Sequence, residues 1–297
     1  MNEVIPAKST KEKIVEYITY FLIYSFLGWI IETIYAIFIH GHFVKRGFLF
    51  GPVCPIYGFG ALLLIVSTRK IYKKAWLKFL ISAIAFTIFE YMVSLILEVL
   101  FGLRWWDYSN KPLNFHGYIC LEFSLIWGLA IVMVVKVFQK YVENQASHIP
   151  ATWEWVVIAI LYAAYFADFV VTVATIRGLN KKLTRLDKVS SDMRIVSDKL
   201  SNTLATTTID TAQKVGEGKV QVTLAKAELR DATIAQKDKS IEMLRMKKTE
   251  LQAQFDELSS SITNHTVFGQ GRLIKAFPEM KHRDYFELIQ ELKKKLK

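Results

Sequence analysis

The sequence predicts an all-α protein: a polytopic helical membrane bundle of about five spans, with a possible tandem hairpin repeat, followed by a C-terminal helical hairpin or coiled coil. Three observations carry this. Apolar residues make up 52% of the 297 positions, yet they crowd before Arg177 in nearly uncharged runs. Runs of about 20 residues are long enough, as helices, to cross a hydrocarbon core of roughly 30 Å. After Ile176 the composition turns abruptly to Lys, Asp, Thr, Ser and Gln. There the remaining apolar residues recur at the three-four spacing of a single helical stripe.

Residues 1–13 read as an N-terminal tail and 14–177 as the transmembrane domain. Its five apolar segments are Ile14–His40, Gly47–Ser67, Ala75–Gly102, Phe115–Val137 and Trp153–Ile176. The first is too long in its apolar part, and lacks the small-residue site, expected of a cleaved signal peptide. The second carries Gly47, Gly51, Pro52, Pro55, Gly58 and Gly60. Proline removes a backbone donor, so this segment is expected to be a broken helix whose freed carbonyls find protein or water. The loops "RKIYKKAWLK" and "KVFQKYVENQ", with Lys8, Lys11 and Lys13, put the cations on one, cytoplasmic side. "HGHFVKRG" and "GLRWWDYSNKPLN" then lie outside, and parity sends the C-terminal part there too, against the pull of Arg177, Lys181, Lys182 and Arg185. Trp105, Trp106 and Tyr108 read as an interfacial aromatic belt. Asn114, Gly117 and Glu122, following so closely, suggest a loop folded back over the bundle mouth.

Residues 178–262 read as a helical hairpin. One helix carries Leu186, Val189, Met193, Val196, Leu200 and Leu204; the other carries Ile241, Leu244, Leu251, Phe255, Leu258 and Ile262, a heptad with Lys248 as its misfit. Paired glycines in Val215–Val220 mark the turn. Self-association through this stripe predicts a homo-oligomer. Residues 263–297 form a small module ending in a basic amphipathic helix, with Tyr285, Phe286, Leu288, Ile289 and Leu292 free to dock or to lie on an anionic surface. The net charge of +11, concentrated in this C-terminal part, favours anionic neighbours. No base-reading motif accompanies it, so no specific nucleic acid is expected.

Glu32, Glu90, Glu122 and Asp168 fall inside the apolar segments. A carboxylate at bilayer depth costs a few kcal/mol, so such groups turn to the bundle interior or a wet cavity and mark function by default. Arg46, Arg104, His40, His42 and His116 are their candidate partners, and Asp107 and Asn114 stand at the mouth. The candidate substrate-binding set is therefore Glu32, Arg46, Glu90, Asp107, Asn114, Glu122 and Asp168. Glu32 and Glu90 hold matched places: each is followed by a loop, a Gly-x-x-Cys (Gly51–Cys54, Gly117–Cys120) and a Gly-containing apolar helix, a repeat pattern seen in transporters. Cys54 and Cys120 form no disulfide framework, and no metal-ligand motif is present. "GEGK" lacks the spacing of a phosphate-binding loop. No nucleophile motif and no cofactor site is legible.

The blocks "YSFLGWIIETIY" (Tyr24–Tyr35), "RGFLFGPVCPIYGFGAL" (Arg46–Leu62), "WDYS" (Trp106–Ser109) and "LNFHGYICLEFSLIWG" (Leu113–Gly128) resemble the ABC-transporter type IV family of CmpB-like membrane proteins, over roughly residues 14–140. The resemblance implies a permease component. No ATP-binding cassette is present, so a separate ATPase subunit would supply the energy. Family members commonly have Arg where this chain has Tyr118, which takes one cation from the mouth. The expected function is a multi-pass plasma-membrane transporter component in which Glu32, Glu90 and Glu122 line a path for a cationic or proton-coupled substrate. One alternative is a membrane-anchored scaffold or sensor using the basic coiled coil. Another is a membrane-embedded enzyme acting on lipid or cell-wall precursors, with a carboxylate and His116 as acid and base.

Overall fold

The computed structural model describes residues 10–68, 74–133, 138–146, 151–216, 224–264 and 269–296. They belong to two compact units, one of Met1–Gly178 with His265–Lys297 and one of Leu179–Asn264. The larger unit begins with α1 (Thr10–His40), α2 (Pro55–Thr68), α3 (Ala75–Phe101), α4 (Leu121–Met133) and α5 (Gln139–Ala146). The first part of α6 (Ala151–Gly216) follows. Among the described residues, three helical stretches are long and apolar enough to cross a membrane: Glu12–Ile39, Trp76–Phe101 and Trp155–Ala205. Each exposes large apolar side chains, Phe38, Val99 and Phe166 at 83%, 77% and 67% exposure among them, as a helix facing lipid does.

The second and fourth apolar segments are shorter as helices than as sequence runs. α2 starts at Pro55 and α4 at Leu121, each several residues into its apolar run rather than at its beginning. Proline explains the first case, since Pro52 and Pro55 forbid helix through the preceding residues and α2 starts at Pro55 itself. In the second case the chain makes a small antiparallel hairpin, β2 (Asn114–Phe115) with β3 (Ile119–Cys120), before α4 begins.

Glycines set the helix spacing. α1 and α2 run antiparallel with Gly28 against the Tyr57 ring and Gly58 against Phe21 and Ser25. Gly60 receives Phe86 of α3, and Gly128 of α4 packs on Phe79 and Ala83. Small residues at such contacts let helices approach where no hydrophobic effect drives them together. Tyr20, Tyr24, Ala61, Ile65 and Val142 form one buried cluster. Within it, the Tyr24 hydroxyl donates to Gln139 Oε1 at 2.7 Å and so fixes α5.

The segment before α2 is folded back into the bundle. The Cys54 amide donates to the Ser25 carbonyl at 2.9 Å. Asp168 of α6 accepts the Phe50 and Gly51 amides at 2.8 and 2.6 Å. The C-terminal module, α8 (Gln270–Ala276), β4 (Lys281–His282) and α9 (Phe286–Leu296), docks on this same end. β4 pairs with β1 (Leu103–Arg104), and Arg272 donates to the Gly47 and Phe48 carbonyls at 3.2 and 3.1 Å. Its guanidinium also lies over the Phe50 ring. Of the apolar residues of α9, Ile289 and Leu292 turn inward while Phe286 stays exposed. Trp105 departs from the belt reading: it is buried between Phe48 and Phe277, its ring centroid 5.2 and 4.7 Å from theirs. The folded-back loop is what the structure has.

His282 makes this docking pH-sensitive. Its Nδ1 accepts the Asp284 and Tyr285 amides at 3.1 and 3.2 Å, so the docked ring is neutral. Burial holds its pKa below the usual histidine value, opposed by Asp284 and aided by Arg283. The undocked chain therefore binds a proton first as pH falls. The stabilisation is complete above about pH 6.5 and is lost as pH drops below it. Protection from hydrogen exchange over 269–296, after correction for the intrinsic slowing of exchange at lower pH, is expected to fall as pH drops below about 6.5, and His282→Asn, which keeps the acceptor without the titration, is expected to flatten that dependence.

The second unit holds α6 from Leu179 onward and α7 (Leu224–Thr263). Lys182 Nζ donates to the Ser261 carbonyl at 3.1 Å. Ile241, Leu251 and Ile262 are buried, Leu244, Phe255 and Leu258 half-buried, and Lys248 exposed. The turn read at Val215–Val220 lies outside the described residues from Glu217 on. Within α6, Gly178 costs only about 1 kcal/mol, and no proline interrupts the helix.

Candidate functional site

Two carboxylates and two tyrosines meet where the hairpins α1–α2 and α3–α4 face each other. Glu32 on α1 accepts the Tyr57 hydroxyl at 2.7 Å through Oε1, and Oε2 pairs with the Arg46 guanidinium at 3.3 Å. Arg46 is held in turn. Its carbonyl accepts the Trp29 indole N–H at 3.1 Å, and its guanidinium donates to the Ala276 carbonyl of the C-terminal module. Both oxygens of Glu32 are thus engaged.

Glu90 on α3 differs. It is 3% exposed, and only Oε1 has a partner, the Tyr108 hydroxyl at 3.2 Å. The Tyr108 ring stacks on Phe123 with centroids 4.7 Å apart. The spacing after the two cysteines matches: Tyr57 stands three residues after Cys54, and Phe123 three after Cys120. Phe123 has no hydroxyl, and Tyr108, laid upon it from the loop, supplies one. Trp127 of α4 joins the halves. Its ring meets Tyr57 at 5.3 Å and Phe86 at 4.5 Å, while its N–H lies beside the Glu90 carboxyl without closing a hydrogen bond. Burial first, then Glu90, Cys120 and Glu32, push the Tyr108 phenol far above its ordinary pKa, so both carboxylates act on one tyrosine.

The remaining candidates are placed elsewhere. Asp107 Oδ1 accepts the Ser109 amide and hydroxyl at 3.0 and 2.5 Å, and Oδ2 pairs with Lys281. Burial alone would raise its pKa, but the Lys281 and Ser109 hydrogen bonds outweigh it and hold the carboxyl below its usual value. Asn114 braces the loop through the Ser109 and Lys111 carbonyls and the Gly117 amide. Gly117 itself, at φ +73°, has no room for a Cβ, which would meet Asp107 Oδ1 at 2.4 Å. Glu122 is exposed and pairs with Lys111 at 3.0 Å. In the first turn of α4 it is thus committed to Lys111 rather than to Glu32 or Glu90. Both oxygens of Asp168 are occupied by backbone amides. Arg104 binds Glu98 at 3.1 Å and lies 4.1 Å from the Tyr118 ring centroid, so the tyrosine at 118 carries the cation of a neighbour.

Of the seven sequence candidates, Glu32, Arg46 and Glu90 converge. Asp107, Asn114 and Asp168 hold loops, and Glu122 lies at the surface. Tyr57, Tyr108 and Trp127 complete the site and went unread. An aromatic residue in or beside an apolar run reads as packing, and only hairpin closure reveals what its polar edge reaches.

Long apolar helices around a polar, carboxylate-bearing centre define a helical membrane protein. Residues 19–173, more than half of the chain, match the family model described as "Putative ABC-transporter type IV", and the chain belongs to that family. No curated protein and no solved structure matches the chain. The matched region takes in both hairpins and α6 through Asp168, beyond the blocks that suggested the family.

Proposed function

We propose that this protein is the membrane-embedded part of a transporter, a multi-pass permease-like component of the plasma membrane whose five apolar segments all enter the bilayer. Its substrate site is the Glu32–Tyr57 and Tyr108–Glu90 pair. The observation that carries the reading is Glu90, an acid 3% exposed on an apolar helix with one oxygen unpartnered. A purely structural carboxylate this deep would have both oxygens engaged; Glu32, less buried, has both of its own engaged, one of them by Arg46. An acid without a matching cation selects a cationic or proton-coupled substrate. The family supports a permease role, with a separate ATPase subunit as the energy source, and the hairpin α6–α7 is proposed to assemble copies of the chain as a coiled coil.

Proteoliposomes on a solid-supported membrane, challenged with a panel of amines and monovalent cations, test this. Wild-type protein should give transient currents that Glu32→Gln and Tyr57→Phe each reduce about tenfold or more, the worth of one charged or coupled hydrogen bond. Currents unchanged in both variants would remove the site.

A further inference from the structure

We propose that Glu90 is the proton-binding group of this site, taking up and releasing one proton at Oε2 while Glu32 stays paired with Arg46. This rests on the transporter reading for its purpose and on the following geometry for its chemistry. Arg46 follows Glu32 in the chain at the separation at which Arg104 follows Glu90. In the first hairpin the pair closes at 3.3 Å. In the second, Arg104 is committed to Glu98 at 3.1 Å and to the Tyr118 ring, and donates to the His116 carbonyl at 3.1 Å. Among the described residues Glu90 therefore has no cation, although its counterpart has one.

The groups around Glu90 leave a proton as the cation it can hold. From the loop comes the Tyr108 hydroxyl, already donating to Oε1, and from α4 the Trp127 N–H. Beyond Tyr108 stand Cys120 of β3, Tyr57 of α2 and Glu32 of α1. None is a cation. A metal ion needs several converging oxygen or nitrogen acceptors, whereas the two nearest polar groups here are donors. Among the described residues no cluster of three His, Cys, Asp or Glu side chains is placed to hold one.

Desolvation then sets the resting state. An ionised oxygen without a partner in a dry interior costs far more than a neutral hydroxyl in the same place, so the carboxyl rests protonated. The unpartnered Trp127 N–H keeps that proton exchangeable. When the proton leaves Oε2, the indole can swing its N–H onto the new charge, and when the proton returns it lets go. Each protonation state thus has its own set of bonds, the condition for a carrier rather than a permanently neutral spacer.

Infrared difference spectroscopy on the full-length protein in lipid bilayers, titrated with pH and compared with Glu90→Gln, reads this directly. Gln is isosteric and keeps the Tyr108 bond, so folding is preserved. The expected result is the carbonyl band of a protonated carboxylic acid near neutral pH, absent from Glu90→Gln, still present in Glu32→Gln and bleached as pH is raised. Trp127→Phe should weaken the alkaline state and move that loss to higher pH. Absence of any acid band that distinguishes wild type from Glu90→Gln overturns the proposal, because Glu90 is then ionised. So does a band that persists at every pH, because the proton is then not exchanged. A titrating Glu90 band in a protein that passes no current would preserve the proton site and sink the transporter reading. Currents without the band would do the reverse.

Discussion

Asp168→Ala is expected to cost about 3 kcal/mol of stability, two charge-assisted hydrogen bonds at roughly 1.5 kcal/mol each. One carboxylate holds the Phe50 and Gly51 amides at 2.8 and 2.6 Å and accepts the Thr172 hydroxyl at 3.2 Å. Without it the Phe50 and Gly51 amides lose the carboxylate they donate to. The loss propagates to the site, because Arg46 sits just ahead of those amides and pairs with Glu32. Thermal unfolding of the purified protein should show a clear drop in midpoint, and transport current should fall with it. Asp168→Asn is expected to recover part of the stability, since its amide oxygen replaces one acceptor while its NH₂ opposes the other N–H. Unchanged unfolding in Asp168→Ala would show that the segment before α2 holds itself.

Gly58→Ala is expected to destabilise by about 2 kcal/mol, in the middle of the range for overpacking. A Cβ at this position would lie 2.2 Å from Ser25 Oγ and 2.7 Å from the Phe21 carbonyl oxygen. The hydroxyl can rotate away, but the carbonyl belongs to the α1 backbone, so the helices must separate. Separation also draws Tyr57 from Glu32, whose bond is 2.7 Å. The measurement is again the unfolding midpoint, read together with current. Gly58→Ala should lower both, whereas Tyr57→Phe should lower current with a smaller effect on the midpoint. A Gly58→Ala protein as stable as wild type would mean that α1 and α2 are not in the close contact described.

Much of this molecule is legible in its residue order. Near-uncharged apolar runs gave the helical membrane architecture, because a bilayer admits few ways of satisfying the backbone. The abrupt change after Ile176 marked a change in composition within α6, and the prolines at 52 and 55 announced that the second segment would not be helical throughout. Four quoted blocks pointed to the family. Glu32, Glu90 and their matched positions were readable for a physical reason: a charge in an apolar run is expensive and therefore conspicuous.

What the sequence could not supply were the partners. Asp168 and Glu122 looked like Glu32 and Glu90 in hydropathy, yet Asp168 clamps a loop from 117 residues away in the chain and Glu122 meets solvent and Lys111. Trp105 read as a lipid anchor, and the return of residues 269–296 to the bundle turned it into core. By itself the sequence determined which segments are apolar enough for a membrane and which charges are costly there, because transfer energies depend on residue type alone. Only tertiary structure decided which carboxylate received a cation, because Arg46 and Arg104 hold equivalent places in the chain and folding pairs one with Glu32 while turning the other to Glu98.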